Sequence, residues 1–414
     1  MSPGAPGGGR ARVAVTGLGV RTPAGAHPKD LWNALLAGRS TARRITSFDT
    51  EGLGAGFACQ VPDLDVEAYL TPKQAARLDR VAQLAVCAAG DAMDDAGPVR
   101  TPPERQGVVT GSGFGGVATY EADLLDNRHL GRGNPGPLHV PMIMHNAMAA
   151  AISIRHRILG PSLSVTTACA SGAHAIAEGA RLIRDGSADL VIAGGAEASV
   201  TPTVLLAFDR CRALSRRNDA PERASRPFDR DRDGFVLAEG AAFVVLERLE
   251  AALARDARVY AELSGLGFSS DAHHITAPPE AGDGAARCMR AALADAALTP
   301  GEIAHVNAHG SGTPLNDLAE ARAVGQVFGD VRVPVTSTKG VTGHAIGAAG
   351  AIEAVAAVLA LNESAVPPTA NLTTLDPQCD IDVVAEVRPM PPGPVMSNSF
   401  GFGGHNATLI FSPF

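Results

Sequence analysis

Short runs of valine, leucine and isoleucine recur along the chain, separated by longer stretches whose apolar residues fall three and four apart. The first run, Arg12–Thr16, predicts a strand, and Gly17-Leu18-Gly19 reads as the turn that ends it. The same unit returns about 245 residues later as Val259–Leu263 followed by Ser264-Gly265-Leu266-Gly267, the mark of a duplicated fold. A second echo agrees. Ser162–Thr166 runs through Thr167–Gly172 into a helical pattern, Ala173–Arg184, and Val333–Thr336 runs through Ser337–Gly350 into another, Ala351–Leu361. Further strands are predicted at Gly107–Thr110, Asp189–Ala193, Ala241–Leu246 and Ala407–Phe411, and helices at Pro72–Ala96 and Gly284–Ala297. Helices alternating with short branched-chain strands predict an α/β architecture with mainly parallel inner strands. Three parts follow: a flexible tail over 1–10, one half over 11–255, and a second over 256–414.

The chain has 414 residues, enough for two halves with a sizeable core. Aromatic residues make up only 4%, so alanine, valine, leucine and glycine must fill the interior. The net charge of −8 gives no basic face for nucleic acid. The arginines near 223–232 alternate with acids and read as a solvated, self-paired surface loop within 215–235. Six scattered cysteines, at 59, 87, 169, 211, 288 and 379, form no metal-binding or disulfide pattern and fit reduced cytoplasmic thiols. Residues 1–9 lack the apolar segment of a signal peptide. Ala345–Leu361 is apolar but small-sided and contains Glu353, which suits a buried helix better than a membrane span.

Four segments can carry chemistry. Cys169 falls between a strand and a helix, where the helix N-terminus favours a thiolate, and its neighbours Ala168, Ala170, Ser171 and Gly172 leave room for a substrate. His309 follows a strand in Val306–Thr313, a usual place for catalytic side chains. His305 lies four residues earlier, but strand-to-loop geometry does not suit that spacing for a metal. Lys339 and His344 share the loop Ser337–His344, and Asn398–Asn406 is a glycine-dense loop with Phe400 and Phe402 that can cover a reactive centre and supply N–H donors. Gly111–Gly116 spells GxGxxG after a strand, yet the stretch where a ribose-binding acid should follow holds none.

The set and order of these segments, Thr167–Gly172, Asn307–Thr313, Ser337–His344 and Asn398–Gly404, resemble the Cys-His-His β-ketoacyl-ACP synthases. Arg226–Gly240 and Ser269–Thr276 resemble two more of that family's segments, so the likeness runs from about residue 11 to about 412. The resemblance implies a thiolase-like duplicated fold in five layers, α-β-α-β-α, and a dimer. It implies Cys169 as acyl-carrying nucleophile, with the backbone N–H groups of Cys169 and Phe400 as oxyanion hole. His309 and His344 would stabilise the enolate left by decarboxylation, and Lys339 would orient them while bonding Glu320. Thr276, Ser311 and Thr313 would flank the pantetheine arm. Phe400 would gate the cysteine, with Phe402 beside it; Phe208 would line the acyl route and Phe114 its floor.

No metal or nucleotide is implied, since phosphopantetheine arrives on the acyl carrier protein. The partners implied are that carrier protein and either a chain-length-factor-like subunit or a second copy, with no nucleic acid and no membrane. His309–Thr313 followed by Asn316-Asp317 resembles polyketide ketosynthases, which favours a type II polyketide or polyene pathway over primary fatty-acid elongation. A non-catalytic chain-length factor would lack Cys169. A thiolase or acyl-CoA-priming synthase would carry a different residue set, and a hydrolase would lack the decarboxylation residues.

Overall fold

Ten strands and six helices carry the architecture of the computed structural model, which describes residues 10–130 and 136–414. The tail expected over 1–10 lies outside the described residues except for Arg10. The first half runs β1 (Val13–Arg21), α1 (Arg80–Ala96), β2 (Gln106–Gly111), α2 (Ala147–His156), β3 (Ser162–Val165), α3 (Ser171–Arg184), β4 (Leu190–Glu197) and β5 (Gly240–Arg248). The second half repeats it: β6 (Ala261–Ser270), α4 (Asp283–Ala296), β7 (His305–Asn307), α5 (Pro314–Phe328), β8 (Pro334–Thr336), α6 (Ala349–Glu363), β9 (Val395–Gly401) and β10 (His405–Ser412).

Strand order confirms the duplication. The first half is ordered β3-β2-β4-β5-β1 and the second β8-β7-β9-β10-β6, so each uses its third, second, fourth, fifth and first strand in turn. In both halves the three strands farthest from the junction are parallel and the two nearest it are antiparallel, so the parallel strands expected inside lie towards the sheet ends. The halves meet where β1 pairs with β6 at Ala14–Glu262 and Val15–Ala261. Helices α3 and α6 pack on each other between the two sheet halves, α1 and α2 cover one outer face, and α4 and α5 cover the other. This is the five-layered, thiolase-like arrangement. Helix α6 with the turn before it is apolar and long enough to cross a membrane, but 83% of that window is buried, as a core helix requires.

Several sequence expectations need correction. Gly17-Leu18-Gly19 and Ser264–Gly267 do not turn; β1 and β6 run straight through them. A Cβ on Gly17 would sit 2.1 Å from the Ala92 carbonyl of α1, and one on Gly267 2.1 Å from the Cys288 carbonyl of α4. These glycines let a helix backbone rest directly on the strand. The helix expected over Pro72–Ala96 breaks: Pro72–Ala75 forms one turn, and α1 begins after Asp79, whose carboxylate accepts from Val81 N. Asn398–Asn406 is not a loop throughout but the hairpin of β9 and β10 around Phe402–Gly404.

The 215–235 stretch pairs its charges as expected but is only partly a solvated surface loop: Arg216, Asp219, Glu222, Arg223, Arg230, Asp231 and Asp233 are exposed, while 224–229 are buried. Arg226, Phe228, Asp229 and Arg232 are buried. Arg226 binds Asp229 at 3.0 Å, and Arg232 binds Asp376 at 2.7 Å. Arginine fits such sites because its fork satisfies a buried carboxylate with several donors. The stretch braces the site: Ser225 Oγ donates to the Lys339 carbonyl at 2.6 Å, and Asp317 accepts from the Phe228 and Gly312 N–H groups.

Candidate active site

Cys169 lies in the short turn Ala168–Ala170 that joins β3 to α3. Its predecessor Ala168 has φ +50°, a left-handed conformation costly for alanine, and Ser171 Oγ holds the turn by donating to the Ala168 carbonyl at 2.7 Å. The sulfur thus sits at the head of α3, as the strand–turn–helix pattern implied. A resting thiolate is not what the surroundings favour. Burial pushes the Cys169 thiol up to about 11, against the lowering pull of Lys339 and of the backbone N–H of Phe402.

His344 Nε2 stands 3.2 Å from Cys169 Sγ. Its backbone is fixed between Val236 and Ala238, bonding Val236 O at 2.8 Å and Ala238 N at 3.0 Å. His309 follows β7, and its ring meets that of His344 edge-on, centroids 5.3 Å apart. Burial and the Lys339 charge hold both imidazoles well below the usual histidine range, so they are neutral. Lys339 Nζ lies 3.4 Å from His309 Nδ1 and donates to the His309 carbonyl at 2.5 Å. An ammonium facing Nδ1 makes that atom an acceptor and puts the ring proton on Nε2.

Lys339 does not bond Glu320. Its carboxylate partner is Glu353 of α6, reached one helical layer below. Glu320 instead accepts from His309 N at 2.9 Å, Gly310 N at 2.7 Å and Asn398 Nδ2 at 3.3 Å, so it shapes the histidine loop. The expected oxyanion donor also moves. Phe400 lies within β9 opposite Asn406, its ring 6.1 Å from that of His309, whereas the N–H aimed at Cys169 Sγ belongs to Phe402. The sequence pointed to a Phe-Gly-Phe stretch but not to which residue leaves the hairpin with a free N–H.

A cavity of about 450 Å³ joins these groups, and Phe114, Phe208, Thr276, Ser311, Thr313, Phe400 and Phe402 all line it with Cys169 and both histidines. Ser311 Oγ and Thr313 Oγ1 are 3.0 Å apart on its polar wall. Phe114 and Phe208 meet edge-on at 5.9 Å, Phe208 meets Phe235 at 5.3 Å, and Phe235 meets the His344 ring at 5.0 Å, an aromatic cluster along the cavity that reaches His344.

Two carboxylates escaped the sequence reading. Glu353 was legible only as a lone acid in an apolar helix, a residue that must find a cation when buried; burial pushes it up to about 7, opposed by Lys339. Glu197, at the end of β4, accepts from Gly113 N, Phe114 N, Gly347 N and Ser112 Oγ, and is likewise pushed up to about 7 by burial. It occupies the N–H cradle that a GxGxxG loop would otherwise offer a pyrophosphate.

One ligand atom from each of Cys169, His309 and His344 lies within 4.8 Å of the others, which by distance alone could hold a metal ion. The ammonium beside His309 opposes a second cation there. The arrangement suits different work: a sulfur with a base beside it, an N–H to receive an oxyanion, and a neutral imidazole with its proton directed away from the ammonium. A site that can take an acyl group on sulfur and polarise a second carbonyl, set between two like halves, defines a condensing acyltransferase.

The chain belongs to the β-ketoacyl synthase family: the family's N-terminal domain matches residues 10–252 and its C-terminal domain residues 260–373. It is 44% identical over 411 residues to the 3-oxoacyl-[acyl-carrier-protein] synthase 2 of Synechocystis sp., covering 97% of this chain and 98% of that protein. Such relatives make it a ketosynthase, an acyltransferase acting on carrier-protein thioesters. Among solved structures, the ishigamide ketosynthase/chain length factor superposes with a TM-score of 0.92 at 38% identity, over 98% of this chain and 100% of that one. A type II polyketide ketosynthase, in complex with its acyl-carrier protein and bound to the hexaketide, superposes at 0.89 with 32% identity over the same shares.

Proposed function

We propose that this enzyme extends an acyl group held on Cys169 by decarboxylative condensation with malonyl-ACP, as the elongating 3-oxoacyl-ACP synthases do. The observation that carries this reading is the 3.2 Å approach of His344 Nε2 to Cys169 Sγ with Lys339-backed His309 beside it. In the first stage the thiol proton passes to His344 Nε2 as the sulfur attacks the acyl thioester. The N–H groups of Cys169 and Phe402 receive the oxyanion. The carrier-protein thiol then leaves with that proton, giving the Cys169 thioester. In the second stage the malonyl thioester carbonyl accepts from the Nε2–H of neutral His309 and, once the His344 ring proton has shifted from Nδ1 to Nε2, from His344 as well. Its carboxylate departs as CO2, and the electron pair left behind forms an enolate. The enolate carbon attacks the Cys169 thioester, and sulfur leaves as thiolate. Lys339, paired with Glu353, keeps His309 neutral with its proton on Nε2. Glu320 keeps the backbone of that loop in place.

The chemistry needs no metal or nucleotide, since loss of CO2 drives it. The carrier protein brings the pantetheine arm past Thr276, Ser311 and Thr313. The fatty-acid reading is favoured over the polyketide one, because the full-length relatives at 44% identity are 3-oxoacyl-[acyl-carrier-protein] synthases 2 while the type II polyketide ketosynthase stands at 32%. A homodimer fits it. Among the described residues the outermost strand β3 has no strand on its far side, and Ile154 and Leu159 beside it are 78% and 66% exposed, an apolar edge suited to a second copy. Six free cysteines suit a reducing cytoplasm. Purified protein given only acyl-ACP and malonyl-ACP should form 3-oxoacyl-ACP. A requirement for a second, non-identical subunit would return the polyketide reading.

A further inference from the structure

The loop that bears Phe114 and the turn that follows His344 meet backbone to backbone. A Cβ on Gly347 would lie 2.3 Å from Gly113 N, and one on Gly113 2.9 Å from Ile346 Cγ2, so no side chain fits between them. Both segments present N–H groups to the contact, and facing donors repel unless an acceptor lies between them. Glu197 is that acceptor. Oε2 takes Gly113 N at 2.8 Å and Gly347 N at 3.0 Å, bridging the two segments. Oε1 takes Ser112 Oγ at 3.1 Å and Phe114 N at 3.3 Å, and Ser112 Oγ in turn accepts from Gly115 N at 3.0 Å. Ile346, with φ +40°, holds a strained conformation at the same place and lines the cavity with Gly113 and Phe114.

We propose that Glu197 is a specificity-positioning residue, whose carboxylate clamps the Phe114 loop to the turn behind His344 and so fixes the acyl-chain length that Phe114 admits. This rests on the condensing-enzyme reading above. Glu197 touches no substrate; it acts through Phe114. Only a carboxylate serves four donors with two acceptor oxygens. In Glu197→Gln one edge of the amide becomes a donor. With the amide oxygen kept on Gly113 and Gly347, the NH2 group faces Phe114 N and frees that residue.

The test is the rate of Cys169 acylation against acyl-ACP chain length, followed by mass spectrometry of the intact protein, in wild type, Glu197→Gln, Phe114→Ala and the double variant. Glu197→Gln should raise long-chain relative to short-chain loading by roughly tenfold, the scale of losing a hydrogen bond to a charged group. In the Phe114→Ala background the same substitution should leave the profile unchanged. Ser112→Ala, which removes one donor to Oε1, should move the profile in the same direction by a smaller factor and serves if the glutamine variant does not fold. A Glu197→Gln or Ser112→Ala profile parallel to wild type, or equal shifts with and without Phe114, would overturn the proposal alone. A wild type that takes no acyl group on Cys169 would overturn the reading beneath it as well.

Discussion

Replacing Phe114 by alanine should let the enzyme accept longer acyl groups. The Phe114 ring lines the cavity, edge-on against Phe208 at 5.9 Å, with Phe208 backed by Phe235. The truncation removes about six carbon atoms from that wall, and staggered packing leaves room for about three acyl methylenes. At about 0.8 kcal/mol for each buried methylene, the gain is about 2.4 kcal/mol, roughly sixtyfold in transfer rate. Acyl groups of about two to four carbons, which do not reach the wall, should change by less than about threefold. The assay is single-turnover acylation with an acyl-ACP series, reading Cys169 occupancy by mass spectrometry. Stability should fall modestly, because Phe114 is half-buried and loses its contact with Phe208. Parallel chain-length profiles for the two proteins would refute the reasoning and show that the acyl chain leaves Cys169 by another route.

Further expectations follow from the same geometry. Phe402→Pro removes the N–H aimed at the sulfur and should slow acyl transfer by about 10²–10³-fold, whereas Phe402→Ala, which keeps the N–H, should cost far less; equal losses would return the oxyanion role to another group. Alkylation of Cys169 by iodoacetamide should accelerate as pH rises towards about 11. Lys339→Met removes a lowering charge and should shift that curve to higher pH, a result checked by rate against pH. Cys169→Gln should keep malonyl-ACP decarboxylation while losing condensation, and His309→Ala should retain acylation while losing decarboxylation and with it condensation; CO2 release and acyl-enzyme formation measured separately decide this. Glu353→Gln, which leaves Lys339 without its carboxylate, should impair decarboxylation much as His309→Ala does, whereas Glu320→Gln should chiefly lower the melting temperature; the opposite pattern would restore Glu320 as the partner of Lys339.

The duplicated fold was legible because strand, small-residue turn and helix recur in the same order, and repeated patterns are hard to mimic by chance. The same repetition misled at one point. Gly17, Gly19, Gly265 and Gly267 read as turn residues in both halves because sequence cannot distinguish a glycine needed for bending from one needed for close helix contact. Cys169, His309, Lys339 and His344 stood out because polar or reactive residues in glycine-rich segments at strand ends have few structural uses. Glu353 and Glu197 did not, since their roles depend on partners that tertiary packing alone supplies: Lys339 for one and four donors from two segments for the other. The N–H that faces Cys169 belongs to Phe402 and not to Phe400, a difference hidden in sequence because the two residues are alike and only the hairpin register separates them. The 215–235 stretch looked solvated because its charges alternate, yet alternating charges also satisfy one another when buried.

The central claim is that carbon–carbon bond formation passes through an acyl thioester on Cys169. It is tested most directly by mixing the enzyme with a short acyl-ACP, quenching, and mapping the acylated peptide, then adding malonyl-ACP and following the label into 3-oxoacyl-ACP. One acyl group per chain is expected on Cys169, discharged into product when malonyl-ACP is added, with neither event in Cys169→Ala. Label on another residue, or 3-oxoacyl-ACP formed by Cys169→Ala at the wild-type rate, would contradict it.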